Sequence, residues 1–259
     1  MRRVEHLLRA TARAEARHFW FRGFRAFVTP LLQRATAGLT AARLLDCGCG
    51  TGANVELLDT FGRGYGFDLT EIGLRIGRDA GRTRLARATV TAAPFPTASF
   101  DIVTSFDVLY SLADHDEKTA IAEMYRLLKP GGTAIVNVAA MPVLRGDHSV
   151  LSREVRRYSR ADLRTRMEGA GFAIERLTYT NATLFAPLAI ARLLQRRRGL
   201  RSESEADAEI SVPAAPINAV MTMVMHAEAL WLLMFDAPFG SSLLCVARKP
   251  ADTDRGAPL

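Results

Sequence analysis

Leu44-Leu45-Asp46-Cys47-Gly48-Cys49-Gly50-Thr51-Gly52 is an apolar run that ends on an acid and three alternating glycines. A run of this kind reads as a short buried strand. Glycines directly after it let the backbone turn sharply and approach a ligand, and they leave the next helix N-terminus open to an anionic group. That helix is expected over 53–61, ANVELLDTF, and a second strand, GYGFDLT (64–70), closes on an acid, Asp68. A carboxylate in that place can take both hydroxyls of a ribose; the plainer alternative is a helix cap shared with Thr70. Nicotinamide and flavin enzymes have comparable glycine loops. Asp46 shifts the balance, because a carboxylate before the glycines repels a pyrophosphate but accepts hydrogen bonds from an ammonium group or holds the loop.

Working outward, a helical pattern over 71–81 leads to a short strand at 85–90 and a buried strand within FDIVTSFDVLY (100–110). A helix over 117–128 is stopped by KPGG, and TAIVNVAA (133–140) is the next strand. A helix capped by Ser159 runs to Gly171, followed by strands at 173–181 and 241–248. Strands separated by helices of this length predict an α/β fold, a parallel sheet with helices on both faces. Residues 182–240 are too long for an ordinary connection. They hold a basic amphipathic helix near 183–199 and an apolar helix at 214–235, joined by the polar RSESEADAEISVP. The expected organisation is therefore an N-terminal helical lid (1–42), a core (43–181), a helical insertion serving as acceptor cap (182–240), and a last strand with its tail (241–259).

These motifs, in this order, resemble the class I S-adenosylmethionine-dependent methyltransferases of small molecules. LLDCGCGTG looks like the first motif of that family, GFDLT its ribose-binding acid, ATVTAAPFPTASFDIV its third and fourth strands, and LLKPGGTAIVNVA the approach to its fifth strand. RYSRADLRTRMEGAGFAIERL extends the likeness to about residue 177. The resemblance implies a Rossmann-like, seven-stranded, mostly parallel sheet with S-adenosyl-L-methionine as cofactor. It also implies that Asp46, Gly48, Cys49, Gly50 and Gly52 line the methionine end, that Asp68 binds the ribose, and that Leu69, Thr89 and Val90 lie by the adenine. Thr89 departs from the Asp that many members carry there. Trp20 and Arg22, in the aromatic and arginine cluster His18-Phe19-Trp20-Phe21-Arg22-Gly23-Phe24-Arg25, are expected over the cofactor, with plain helix packing as the alternative.

Methyl transfer needs an acceptor aligned with the sulfonium methyl, and a general base is optional. The wall facing the methyl is expected at the end of the fourth strand. There Phe106 packs on the cofactor or binds an aromatic acceptor, Asp107 orients or deprotonates a hydroxyl, and Tyr110 lines the acceptor. The bland readings are core for Phe106 and a helix cap for Asp107. His148, in the polar loop MPVLRGDHSVLSREVRRYSRADL, is the best candidate base, since histidine titrates near neutral pH, with a plain surface-loop histidine as the alternative. Arg157 and Tyr158 in that loop resemble a recurrent pair that touches substrate or fixes the loop.

Of 259 residues, 49% are hydrophobic and 24% charged, which excludes disordered and collagen-like classes. The formal charge is +7, and only three of the 34 basic residues are lysines (Lys118, Lys129, Lys249), so an arginine-rich composition underlies it. A nucleic-acid methyltransferase is the first alternative, yet no RNA-binding module or base-amine motif is visible, and no nucleic acid is expected. A non-catalytic relative is the second, opposed by the intact glycines and acids. Arginines at 192, 196, 197, 198 and 201 gather at one end of the amphipathic helix, a pattern that favours anionic membrane surfaces. Cys47, Cys49 and Cys245 cannot form a disulfide framework, and the first two lack partners for a metal site, so no metal is expected. The first 30 residues carry charges throughout and lack the apolar core and cleavage site of a secretory signal, so none is expected. The expected setting is cytoplasmic, with peripheral contact at the inner membrane face through 183–201 and a small-molecule acceptor as partner.

Overall fold

The computed structural model describes residues 2–144, 154–197 and 212–251. Two helices come first, α1 (Arg2–Ala14) and α2 (Phe19–Thr36). Strands and helices then alternate through β1 (Arg43–Cys47), α3 (Ala53–Asp59), β2 (Arg63–Asp68), α4 (Glu71–Asp79), β3 (Leu85–Arg87), β4 (Phe100–Phe106), α5 (Asp114–Leu127) and β5 (Leu128–Ala139). The described elements end with α6 (Arg160–Gly169), β6 (Ala173–Thr180), α7 (Phe185–Arg197), α8 (Ala215–Trp231) and β7 (Ser242–Arg248).

All seven strands join one sheet in the order β3-β2-β1-β4-β5-β7-β6, and only the pairings of β7 are antiparallel. This is the expected Rossmann-like, mostly parallel α/β sheet. Its strands are continuous apolar runs because both faces are covered; Leu44, Leu45, Phe67, Ile102, Val103, Ile135 and Val136 are all fully buried. The chain passes from β1 to β2 on one side, whereas β4 lies on the other. A crevice therefore opens at the carboxyl ends of β1 and β4, the place where such sheets bind ligands.

Element ends differ from expectation for local reasons. β3 stops at Arg87 rather than 90, because the chain turns at Thr89, whose backbone bridges Ala92 and whose hydroxyl bonds that of Thr91. α5 starts at Asp114, where Asp114, Asp116 and Glu117 fill the first turn and suit the positive helix end. β5 already begins at Leu128, opposite Phe100; the register then jumps, so that Thr133 faces Ile102 and residues 129–132 bulge out. Ser159 caps α6 in a reciprocal box with Asp162.

α2 and α8 pack together although about 200 residues separate them. A Cβ on Gly23 would lie 2.7 Å from the Cβ of Met225, so the absence of a side chain at Gly23 sets how closely the helices approach. Asn218 of α8 accepts the Phe19 N–H at 2.8 Å and donates to the Arg17 carbonyl at 2.9 Å, pinning the turn between α1 and α2. Glu228 accepts the N–H groups of Ala182 and Thr183 at 2.8 and 3.0 Å, fixing the chain as it leaves β6. The return to β7 is nailed down too, since Arg176 of β6 reaches the carbonyls of Leu232 and Phe235. Among the described residues no helix is long and apolar enough to cross a membrane. Gly23→Leu overpacks the α2–α8 contact, at a cost of about 1–3 kcal/mol. The expected outcome is a lower thermal unfolding midpoint by circular dichroism, with Gly169→Leu, exposed and in open space, as the control.

Candidate functional site

Asp46 ends β1 and is 1% exposed. The Thr104 hydroxyl donates to its Oδ1 at 2.7 Å across the β1–β4 pair, while its Oδ2 is buried without a hydrogen-bond partner. Burial pushes this carboxyl up to about 7, against the hydrogen bonds of Thr104 and Asn54, and the charge of Asp68 adds to the rise. An ordinary protein leaves few such atoms unpaired. A buried acceptor at the mouth of the crevice fits a cationic donor.

The loop that follows is held open by its glycines. Gly48 has φ of 81°, and a Cβ there would strike Val108; Gly52 has φ of 79° and starts α3. The N–H groups of Gly48 and Cys49 both donate to the Phe67 carbonyl, which leaves Cys49 with its side chain in a small apolar cluster beside Val55 and Leu74. Its carbonyl accepts the Gly52 N–H at 2.8 Å, so both backbone groups of Cys49 hold the loop's own shape. Asp68 joins the loop to β2: its Oδ2 accepts the Gly50 N–H at 2.9 Å, and its Oδ1 accepts the N–H and hydroxyl of Thr70. A carboxylate has about four acceptor positions, so capacity remains for a further donor. Leu69 is exposed beside it, and Thr89 and Val90 follow β3 on the neighbouring strand.

Several supports escaped the sequence. Gly73 and Gly77, four apart on α4, face the backbone carbonyls of Gly50 and Thr51 so closely that a Cβ would collide with them. The signal was present in the i, i+4 spacing of glycines within a helix. Glu15, between α1 and α2, accepts the Thr51 hydroxyl at 2.8 Å and pairs with Arg82, which also bonds the Thr51 carbonyl and Glu56. Burial raises the Glu15 carboxyl, with Thr51, Arg82 and Arg25 opposing.

Phe24 is the aromatic of α2 that meets the crevice. Its ring stands edge-on to Phe106 at 4.9 Å. Trp20 shares that helix face one turn earlier, half-buried and edge-on to Phe19, whereas Arg22 is exposed on the opposite face. The cluster was legible, but its helical phase was not.

Asp107 follows β4 with φ of 61°, a left-handed backbone that a non-glycine residue adopts only under constraint. The constraint is Asn137 of β5, whose carbonyl accepts the Asp107 N–H at 3.0 Å and whose Nδ2 donates to Asp107 Oδ1 at 2.9 Å. Solvent reaches Asp107, yet the protein packed around it pushes the carboxyl up to about 6; Asn137 and Arg157 oppose the rise and Glu154 adds to it. The Oδ1 of Asn137 is itself buried and unpaired.

Tyr110 lies in the core, and its carbonyl receives the N–H groups of Val155 and Arg156. Arg157 forks onto Glu154 at 2.6 and 2.9 Å and onto the Ala140 carbonyl. Tyr158 is 1% exposed and donates to Glu117, a buried acid also held by Arg156 and Arg166. Of the two roles open to the Arg157–Tyr158 pair, fixing the loop is therefore the one these contacts serve. His148 lies outside the described residues.

A family model described as a methyltransferase domain matches residues 45–136, the span from the end of β1 to the middle of β5. The match supports a class I S-adenosylmethionine-dependent methyltransferase. A demethylmenaquinone methyltransferase of Geobacillus kaustophilus is 34% identical over 114 residues, 40% of this chain. The chain spans about half of that relative, 48% of its length. A Mycolicibacterium smegmatis protein described as a probable S-adenosylmethionine-dependent methyltransferase is 27% identical over 203 residues, 77% of this chain and 74% of its own. The crystal structure of the [4+2]-cyclase SpnF shares the fold with a TM-score of 0.56 and 20% identity, covering 87% of this chain and 81% of that one. The family cofactor is S-adenosylmethionine.

The raised carboxyls set a pH dependence. Asp46 binds its proton more tightly in the folded chain (about 7) than in the unfolded one (3.8), so its favourable contribution is complete below about pH 4 and is lost as pH rises through 7. Each unit corresponds to about 1.4 kcal/mol. The thermal midpoint of the ligand-free protein is expected to fall between pH 4 and 7, and Asp46→Asn is expected to flatten that slope in a pH series of melting curves.

Proposed function

We propose that the chain transfers a methyl group from S-adenosylmethionine to an apolar, hydroxylated aromatic acceptor, with Asp107 as general base. The observation that carries this reading is the Asp107–Asn137 pair, a raised carboxyl fixed beside the Phe24–Phe106 rings. The cofactor fits the residues present: the unpaired Oδ2 of Asp46 suits its ammonium group, the open loop at Gly48, Gly50 and Gly52 its methionine end, and the remaining acceptor position of Asp68 a ribose hydroxyl. Leu69, Thr89 and Val90 are assigned to the adenine. When bound, the cofactor supplies an electrophilic methyl on a sulfonium.

The protein then has to bind, orient and deprotonate the acceptor. Phe24 and Phe106 offer an aromatic ring an edge and a face. Asn137 occupies Oδ1 of Asp107, leaving Oδ2 to take the hydroxyl proton. A carboxyl near 6 is ionised at neutral pH and is a stronger base than an ordinary aspartate. As the O–H bond breaks toward Asp107, the acceptor oxygen, or a ring carbon conjugated to it, gains the electron density that would form the new bond to the methyl carbon while the methyl–sulfur bond breaks and the sulfur leaves as a neutral thioether. On the ring-carbon route that carbon then gives up its own proton to restore the aromatic ring. The name of the Geobacillus relative favours the ring-carbon outcome on a quinol. His148 is the alternative base, and Tyr110 lines the acceptor side from the core. A lipid-like acceptor also suits peripheral contact of the basic end of 183–201 with the cytoplasmic membrane face.

Two substitutions test the assignment. Asp68→Ala is expected to weaken S-adenosylmethionine binding at least about tenfold in calorimetry, the loss of a hydrogen-bonded hydroxyl; unchanged affinity removes the ribose role. Asp107→Asn is expected to keep cofactor affinity and lower turnover of hydroxylated naphthalenes by about 100-fold or more, abolishing a rate profile that rises through about pH 6. A full rate in Asp107→Asn across that range shifts the base to another residue.

A further inference from the structure

Helix α8 is inside out. Three of its polar side chains point inward, where Asn218 holds the α1–α2 turn, Thr222 donates to the Asn218 carbonyl and Glu228 holds the start of the chain after β6, while His226 is exposed beside the apolar face. Its outward face is apolar: Ile217, Val220, Met223, Leu230, Trp231 and Met234 are between 44% and 77% exposed. At 100° per residue these six fall within one stripe, opposite Thr222, Met225, Ala229 and Leu232, which are buried. Over 17 residues the stripe is about 25 Å long. Phe235, also exposed, stacks on Trp231 at 5.6 Å and prolongs it. Scattered apolar residues on a surface are ordinary, but a continuous stripe marks an interaction site.

Charge identifies the occupant. Both ends of the stripe carry exposed arginines: Arg17, whose carbonyl Asn218 binds, stands at one, and Arg34 stands at the other, lining with Met234 and Phe235 a groove of about 650 Å³ whose acids Asp101, Asp236 and Glu175 pair with Lys129, Arg176 and Arg248, so that Arg34 supplies the excess charge. The chain as a whole is at +7. An isologous pair of chains crossing on α8 would bring these like charges together at the rim. An anionic lipid surface instead meets them with phosphates while the apolar stripe and its tryptophan enter the interfacial layer. We propose that the outward face of α8 is a membrane-docking surface for anionic bilayers. It stands independently of the acceptor and of the basic end of 183–201.

The test is co-sedimentation of the full chain with phosphatidylcholine vesicles, with and without phosphatidylglycerol. Binding is expected only with the anionic lipid, weakened by salt, and reduced at least about tenfold by Leu230→Glu with Met234→Glu. These positions are exposed, and an unchanged melting curve verifies that the variant folds. In a Trp20→Phe background Trp231 is the only tryptophan, and its emission is expected to shift to the blue on anionic vesicles. No sedimentation with anionic vesicles overturns the proposal, as does binding that the double substitution leaves intact. A dimer in light scattering that the same substitution dissociates, with Trp231 emission unchanged by lipid, assigns the face to a second copy instead and also overturns it.

Discussion

The carboxyl of Asp46 is the constraint on which the site depends. It is buried where β1 and β4 part, satisfied on one oxygen by Thr104 and left open on the other. An unpaired buried acceptor costs about 1–3 kcal/mol, and here the same desolvation that raises its proton affinity makes it a strong partner for a cation that displaces the proton. The surrounding structure holds that atom still. Asp68 ties the glycine loop to β2, the glycines of α4 let a helix lean on the loop from outside, and Glu15 brings the α1–α2 turn onto Thr51. A site strained in this way relaxes only by binding.

The second half of the site is built from parts far apart in sequence. β5 supplies Asn137, β4 supplies Asp107, and α2 supplies Phe24, which reaches the crevice because α8 clamps α2 from behind. The acids and arginines of the loop after β5 do related work at a distance. Glu117, Arg156, Arg166 and Tyr158 form a buried knot that ties this loop to α5, and breaking such a knot by removing one partner is costly. Chemistry is thus left to few groups, and most of the polar residues near the crevice are structural.

The sheet was largely legible because its central strands β1, β4 and β5 are rich in buried apolar residues, and because the glycine loop has a recognisable place in it. Asp46, Asp68 and the loop glycines stand where the pattern put them. What escaped was long-range or depended on helical phase. Nothing in α2 announces that Gly23 faces Met225, and nothing in 214–235 announces that Asn218 and Glu228 are the side chains that reach back to the turn between α1 and α2 and to the chain after β6. Trp20 and Arg22 stood out by residue type; Phe24, on the same face as Trp20, is the ring that meets Phe106, while Arg22 lies on the exposed face. Arg157 and Tyr158 were ambiguous on paper; their partners Glu154 and Glu117 decide them.

The central claim is that the free oxygen of Asp46 is the seat of the cofactor ammonium group. Calorimetry of S-adenosylmethionine and its analogue lacking the α-amino group, on the native chain and on Asp46→Asn, tests it most directly. The native chain should lose at least about tenfold in affinity for the analogue, and the variant should bind both alike. An equal loss in the two proteins would place the ammonium elsewhere and contradict the account.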